Sequence, residues 1–146
     1  MSGGGAFMRE ILVGLILAGL ASVAAADEAP KRLGAADLAV ETHKWDGKQI
    51  QTNVQCFYAD ISEYRCAVGA AGGIFVRIDF TAIDPEDIKK QIEDKCDTIE
   101  KMMGPACHFQ ATFTYEENVR DESASGNVTM MIKAQDDKGT FVRLKR

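Results

Sequence analysis

Four cysteines, Cys56, Cys66, Cys96 and Cys107, are the residues of this sequence whose type and spacing suggest the most chemistry. Groups of cysteines serve redox catalysis, zinc binding or disulfide formation. The sequence has no C-x-x-C motif, with which thioredoxin-type catalysts tune a thiol pKa. The spacings of nine, 29 and ten intervening residues do not match a zinc-binding pattern. An even number of cysteines in a short exported chain therefore predicts two structural disulfides.

The local pattern favours one of the three possible pairings. Two predicted strands surround a turn at Asp60–Glu63, and folding them together places Cys56 opposite Cys66. Directly opposed residues have Cβ atoms about 4.5–5.5 Å apart, and the distance is shortest in non-hydrogen-bonded pairs. Because a disulfide requires a Cβ separation of about 3.5–4.5 Å, we expect Cys56 and Cys66 to form a non-hydrogen-bonded pair. Cys96 and Cys107 then form the second disulfide, between the end of a helix and the next strand.

Other residues suited to catalysis are few. The chain has two histidines, His43 and His108, and neither lies in a G-x-S-x-G or H-E-x-x-H motif. We therefore predict no catalytic residue, no metal ligand and no cofactor, and we expect that the protein is not an enzyme. A hydrolase is the less favoured alternative, because distant residues can still assemble an acid–base pair.

The first 26 residues have the pattern of a secretory signal peptide. Arg9 supplies positive charge, Ile11–Leu20 is apolar, and Ala24–Ala26 matches the small-residue rule of signal peptidase. We expect cleavage before Asp27 and a periplasmic or secreted product without stable membrane insertion. The alternative is an uncleaved anchor, but Ile11 to Ala26 is 16 residues, and a spanning helix needs about 20.

Size and charge limit the fold and the partners. Residues 27–146 suit a single domain, in which we separate an N-terminal extension (27–47) from a disulfide-stabilised domain (48–146). The net charge is −5. An acidic domain outside the cytoplasm is a poor candidate for nucleic-acid binding, which depends on neutralising phosphates.

Alternation of apolar and polar residues predicts the strands. The clearest run is Ile50–Tyr58, which has the pattern of a half-buried strand. Further strands are predicted at Tyr64–Val68, Ile74–Phe80, Phe109–Tyr115, Val128–Ala134 and Thr140–Leu144. The polar segment Glu116–Gly126 is predicted to be an exposed loop, and Asp136–Gly139 a turn.

A helix is predicted over Asp84–Cys96. Asp84 has the type of an N-cap residue, and Pro85 suits the first helical position. Ile88, Ile92, Cys96 and Ile99 follow one another at spacings of four, four and three, as on the buried face of a helix.

This order of elements resembles small periplasmic OB-fold proteins of bacteria. The resemblance covers about two thirds of residues 27–146, from Ile50–Tyr58 to Phe109–Tyr115. It implies a mainly β domain, an antiparallel Greek-key barrel of five or six strands with one helix. The sixth strand departs from the pattern unless the last two strands form one extended hairpin. The alternative is an α+β fold, in which the helix covers an open antiparallel sheet.

We expect a non-catalytic binding or structural module of the cell envelope, with a protein, peptide or saccharide ligand. The alternative is a small secreted enzyme inhibitor. The candidate binding face consists of side chains predicted to point outward from two strands: Gln51, Asn53, Gln55, Phe57, Phe75 and Arg77. The two phenylalanines either contact a partner or pack in a minor core near Trp45.

Overall fold

The structure is a computed structural model that describes residues 28–41, 43–69, 75–122, 126 and 128–144. The predicted signal peptide (1–26) and Ile74 lie outside these residues. The fold is mainly β, with the following elements in chain order: β1 (Lys31–Arg32), α1 (Ala35–Val40), β2 (Gln49–Asp60), β3 (Glu63–Gly69), β4 (Phe75–Phe80), β5 (Ala82–Asp84), α2 (Glu86–Lys95), α3 (Ile99–Met102), β6 (His108–Glu122), β7 (Val128–Ala134) and β8 (Lys138–Arg143).

All eight of these strands belong to one mixed sheet, in the order β1-β2-β3-β4-β7-β6-β8-β5. β2 also pairs with β6, so the pairings β2–β3–β4–β7–β6–β2 form a closed circuit. Three pairs are parallel, namely β1 with β2, β4 with β7 and β5 with β8. The other pairs are antiparallel.

The prediction of five or six purely antiparallel strands is therefore wrong. β1 has two residues and β5 has three, which is too short to show an alternation with period two. The direction of β4 relative to β7 depends on the path of the chain between them, and the alternation within a strand carries no information about that path.

The C-terminal region differs from the prediction in two ways. Most of the predicted loop Glu116–Gly126 is strand, because β6 continues to Glu122 and pairs with β7. The last two strands do not form a hairpin: β7 and β8 both run antiparallel to β6. They are successive segments beside one neighbour, separated by the 3₁₀ turn Gln135–Asp137, where both aspartates have positive φ.

α2 begins one residue later than predicted, at Glu86 instead of Pro85. Asp84 is the last residue of β5 and pairs with Thr140 in the β5–β8 ladder, in the extended conformation favoured for a residue that precedes proline. Pro85 takes the N-cap position instead. Ile88 and Ile92 are buried on one face of the helix and Cys96 is buried directly after it, which confirms this part of the predicted apolar stripe. Ile99 is 61% exposed, because α2 ends at Lys95 and Ile99 begins α3. The Tyr64 hydroxyl donates a hydrogen bond to Glu93 Oε1 (2.5 Å).

The core lies between the inward faces of the strands and includes part of the N-terminal segment. Leu33, Ala35, Leu38 and Trp45 are all buried in the same cluster as the strand residues. The aromatic centre of the core consists of edge-to-face ring pairs, formed by Phe80 with Phe113 and Phe141 and by Phe109 with Phe141. Residues 33–45 therefore contribute to the core of the sheet domain.

Both predicted disulfides are present. Cys56 and Cys66 are paired residues of the β2–β3 ladder, with Cα atoms 4.1 Å apart. The Cys96–Cys107 disulfide joins the end of α2 to the residue before β6, with a Cα separation of 5.8 Å. All four side chains are buried, so both cross-links lie in the core.

Candidate functional site

The polar face of β2 is the part of the predicted site that the structure assembles best. Ile50 and Val54 are buried, whereas Asn53 is exposed and Gln51 and Gln55 are half-buried. The alternation that predicted the strand thus also separates its inward and outward faces. Three amide side chains stand in a row on the outward face.

β6 extends this row of amides with a second polar row. Across the β2–β6 ladder, Gln51 is paired with Thr112, Asn53 with Gln110, and Gln55 with His108. These three β6 residues are half-buried. Paired residues project to the same side of a sheet, so six polar side chains form one surface, here named the polar face: Gln51, Asn53, Gln55, His108, Gln110 and Thr112.

The remaining three predicted residues are not part of the β2–β6 ladder. Phe57 is half-buried and packs against the core cluster. The backbone of Phe75 belongs to β4, where it pairs with Gly69, and its side chain is not among those that the structure describes. Arg77 is also on β4, separated from Gln55 by Ala67 of β3.

Arg77 belongs to a network of charges on the outer side of β3 and β4. Its Nε donates to Asp79 Oδ1 (2.8 Å), and its Nη2 lies 3.5 Å from Glu63 Oε1. Arg65 Nε donates to the same Glu63 carboxylate (3.2 Å). The hydrogen bond from Arg65, with the charges of both arginines, holds the pKa of Glu63 below its ordinary value of 4.5. The Arg77 guanidinium is therefore neutralised within the protein.

An opening in the sheet lies beside Asn53. The β2–β3 ladder ends at the pair Gln55–Ala67, and the β1–β2 ladder ends at the pair Arg32–Gln51. Neither ladder includes Asn53. Leu33 N donates to Gln51 O (3.0 Å), so the backbone groups of Gln51 point to the edge of β2 on which β1 lies. Alternate residues of a strand direct their backbone groups to the same edge. The N–H and C=O of Asn53 therefore face the gap between β1 and β3.

A cavity of about 390 Å³ occupies this opening, a size typical of small-ligand sites. Its walls come from the β1–α1 segment, from β2, from the end of β3 and from β6. They are formed by Arg32, Leu33, Gly34, Ala35, Gln51, Thr52, Asn53, Val68, Gly69 and Gln110.

A chain of side-chain hydrogen bonds crosses the mouth of the cavity. Arg32 Nε donates to Gln51 Oε1 (2.9 Å), and Gln51 Nε2 donates to Thr112 Oγ1 (3.3 Å). The Gln51 amide is thereby fixed at both ends. It fixes the side chain of Arg32, a residue that lines the same cavity as Asn53 and Gln110.

Two further cavities are less suited to ligand binding. One of about 490 Å³ lies beside Trp45 and is lined by Lys31, Lys44 and Lys48, but also by Glu28, and Lys44 is already paired with a glutamate. Another, of about 360 Å³, lies beside the 3₁₀ turn at 135–137.

The sequence prediction missed Arg32, Gln110 and Thr112 as members of the site. The last two alternate with buried residues in the predicted strand Phe109–Tyr115, so their outward orientation could have been read from the sequence. Their position beside β2 could not, because it depends on a pairing between residues about 60 apart, such as Asn53 and Gln110. Arg32 belongs to a two-residue strand that carries no periodic signal.

Within the described ranges, no helix has both the length and the apolar character to cross a membrane. In the same part of the chain, no group of three or more His, Cys, Asp or Glu side chains is arranged to hold a metal ion.

Comparisons with known proteins give no family for this chain. No family model and no curated protein matches it. Among solved structures, it is similar to one assigned as an aspartyl-tRNA synthetase from Leishmania major Friedlin, with 10% identity and a TM-score of 0.42. The match covers 84% of this chain and 23% of that chain, so this chain spans less than a quarter of the other's length. A likeness at this level indicates neither fold nor function.

Proposed function

We propose that this chain is an exported, non-catalytic binding module with an OB-type barrel, and that it binds a saccharide-sized polar ligand in the opening beside Asn53. The observation that carries the proposal is the cavity at that opening. It combines β2 backbone that pairs with neither β1 nor β3 at Asn53 with three amide-bearing residues and one arginine.

The strand pairings support the OB-type barrel. An OB fold is a five-stranded Greek-key barrel, and the circuit β2–β3–β4–β7–β6 contains five strands, with α2 between β4 and β6 in the chain. One row of paired residues can be followed around the circuit: His108 on β6, then Gln55, Ala67, Arg77 and Met131, and finally Val119 on β6 again. The row therefore returns to β6 eleven residues after the residue at which it started. Such a stagger is what closure of a barrel requires.

The two buried disulfides support export. Disulfides persist in oxidising compartments and are rare in the cytosol, and the four cysteines of this chain are fully used in two cross-links. Together with the signal-peptide pattern of residues 1–26, they favour the periplasm or the extracellular space as the place where the module works.

The lining of the cavity supports a polar ligand with several hydroxyl groups. A side-chain amide supplies both donors and acceptors, as a hydroxyl group does, and Gln51, Asn53 and Gln110 bring three amides to one site. The backbone N–H and C=O of Asn53 add another donor and acceptor. Because the cavity holds about 390 Å³, it fits one sugar unit rather than a folded partner.

Amide NMR spectra of the disulfide-bonded chain, titrated with glucose, N-acetylglucosamine and glucuronate, test the proposal. We expect saturable shifts of the backbone amides of Asn53 and Gly69 and of the Gln110 side-chain amide with at least one sugar. Substitution Asn53→Ala should weaken that binding, since it removes an amide that lines the cavity.

The matched control is Gln135→Ala, which removes an exposed amide in the 3₁₀ turn away from this cavity. It should bind like the unsubstituted chain. Absence of saturable shifts with all three sugars would contradict the proposal, as would shifts that avoid Asn53 and Gly69.

A further inference from the structure

We infer that the ligand of this cavity is an acidic sugar, and that Arg32 receives its carboxylate. The inference rests on the proposed function and adds to it the charge of the ligand and the residue that selects it. It depends on how Arg32 is held, on which of its donors are unused, and on the charges that surround it.

The position of Arg32 is fixed by both its backbone and its side chain. Its backbone pairs with Gln51 in the β1–β2 ladder, and Leu33 N donates to Gln51 O immediately afterwards. Its Nε donates to Gln51 Oε1 (2.9 Å), and the same amide donates onward to Thr112. A guanidinium held at Nε has its plane and direction set by that bond, because the group is rigid and planar.

The terminal donors of Arg32 are available. Among the described residues, the only side-chain hydrogen bond of Arg32 is the one from Nε. Its two terminal nitrogens are therefore an unused two-pronged donor on a residue that lines the cavity. That geometry matches the two oxygens of a carboxylate, which such a fork binds with two parallel hydrogen bonds.

The charge of Arg32 is not balanced by the walls of the cavity. The other nine lining residues are uncharged. Asp37 lies near Gly34, but its carboxylate accepts the Gly34 N–H (3.0 Å) at the start of α1. Arg77 on the outer side of β4 provides the contrast, because its guanidinium is neutralised by Asp79 and Glu63. Among the described residues, Arg32 is thus a positioned cation without an acidic partner, in a chain with net charge −5.

An acidic sugar satisfies both parts of the site. Its carboxylate binds the Arg32 fork, and its hydroxyl groups reach the amides of Asn53 and Gln110. Gln51 is a positioning residue in this arrangement, because its amide is occupied by Arg32 and Thr112.

The test compares the affinities of three probes at equal ionic strength. The probes share a sugar ring and differ in charge: glucuronate, glucose and glucose 6-phosphate. We expect glucuronate to bind the unsubstituted chain about tenfold more tightly than glucose, as charge-assisted pairing provides. Arg32→Gln should abolish this difference, so that glucuronate and glucose bind the variant equally well. Arg32→Lys should keep part of it, since lysine retains the charge but not the fork.

Lys31→Gln is the matched control, because it removes the adjacent positive charge of β1, which lines the cavity beside Trp45 instead. It should retain the full preference for glucuronate. Gln51→Ala should reduce the ratio of glucuronate to glucose affinity, because it removes the acceptor that positions Arg32, and an unchanged melting temperature would show that each variant folds.

The outcomes separate this inference from the proposed function. If glucose and glucuronate bind equally well at Asn53, the proposed function stands and the role of Arg32 is wrong. Lys31→Gln could also reduce the preference for glucuronate as much as Arg32→Gln does. The preference would then come from general electrostatic attraction and not from paired hydrogen bonds with Arg32, and the inference would be wrong. Tighter binding of glucose 6-phosphate than of glucuronate would overturn the carboxylate assignment. Failure of glucose, glucuronate and N-acetylglucosamine to bind would overturn the proposed function itself.

Discussion

Cys56 and Cys66 are paired residues of one hairpin and are joined by a disulfide across neighbouring strands, with Cα atoms 4.1 Å apart. This separation is close to the roughly 4.5 Å of a non-hydrogen-bonded antiparallel pair. The cross-link therefore fixes the register of β2 against β3 and, through it, the end of β3 that borders the opening beside Asn53.

Removing this disulfide should destabilise the protein substantially. The double substitution Cys56→Ala/Cys66→Ala opens a short loop, and loops of this size correspond to about 2–3 kcal/mol in the free energy of unfolding. Urea denaturation measures the change. Cys96→Ala/Cys107→Ala is the matched comparison, since the sequence separations are 10 and 11. Unchanged stability in either double variant would contradict a structural role for that disulfide.

Thr52→Val should stabilise the protein. Thr52 is 3% exposed, on the inward face of β2, and its hydroxyl has no hydrogen-bond partner among the described residues. Valine has nearly the same shape without the polar group, and relieving a buried unsatisfied hydroxyl is worth about 1 kcal/mol. Thermal unfolding should show a higher melting temperature. A lower one would mean that the hydroxyl is satisfied in solution, for example by an internal water.

Gly139→Ala should destabilise the core. A Cβ at this position would lie 2.6 Å from Phe141 Cε2 and 2.8 Å from Phe80 Cε1, and both rings are fully buried. Forcing a methyl group into such a site costs about 1–3 kcal/mol. Gly34→Ala is the control, because its nearest contact would be 3.8 Å away. Denaturation curves that show equal effects for the two substitutions would disprove the crowding at Gly139.

The pH dependence of stability should include a contribution from Glu63. Its pKa in the folded protein is lowered by the hydrogen bond from Arg65 and by the nearby arginine charges. A lowered folded-state pKa means that the ionised carboxylate stabilises the fold above its unfolded pKa, and that this contribution disappears as the pH falls through the folded value. Stability should therefore decline less steeply below about pH 5 in Glu63→Gln than in the unsubstituted chain.

Urea denaturation at a series of pH values between neutral and acidic measures this difference. Asp94→Asn serves as a control at an exposed carboxylate of α2 for which the described residues show no ion pair. Parallel pH profiles for Glu63→Gln and the unsubstituted chain would show that the charge network does not stabilise the fold.

Local features of the fold could be predicted from the sequence. The Cys56–Cys66 pairing followed from folding one hairpin about its turn, and the outward orientation of Gln51 and Asn53 followed from alternation within one strand. Both depend on residues close together in the chain. The buried stripe of α2, Ile88 and Ile92, was predictable for the same reason.

Features that depend on distant residues could not be predicted. The contact of Asn53 with Gln110 and the parallel pairing of β4 with β7 need the path of the whole chain. The strand segment Glu117–Glu122 was misassigned as loop because its mostly polar residues show no apolar–polar alternation, although its backbone pairs with β7. The opening beside Asn53 arises where two ladders end, and no residue type marks such a place.

A crystal structure of the disulfide-bonded chain with glucuronate tests the central claim most directly. We predict one sugar in the opening between β1 and β3, with its carboxylate on the terminal nitrogens of Arg32 and a hydroxyl group on Asn53. A sugar bound elsewhere on the surface, or an opening without the sugar at saturating concentration, would contradict the account.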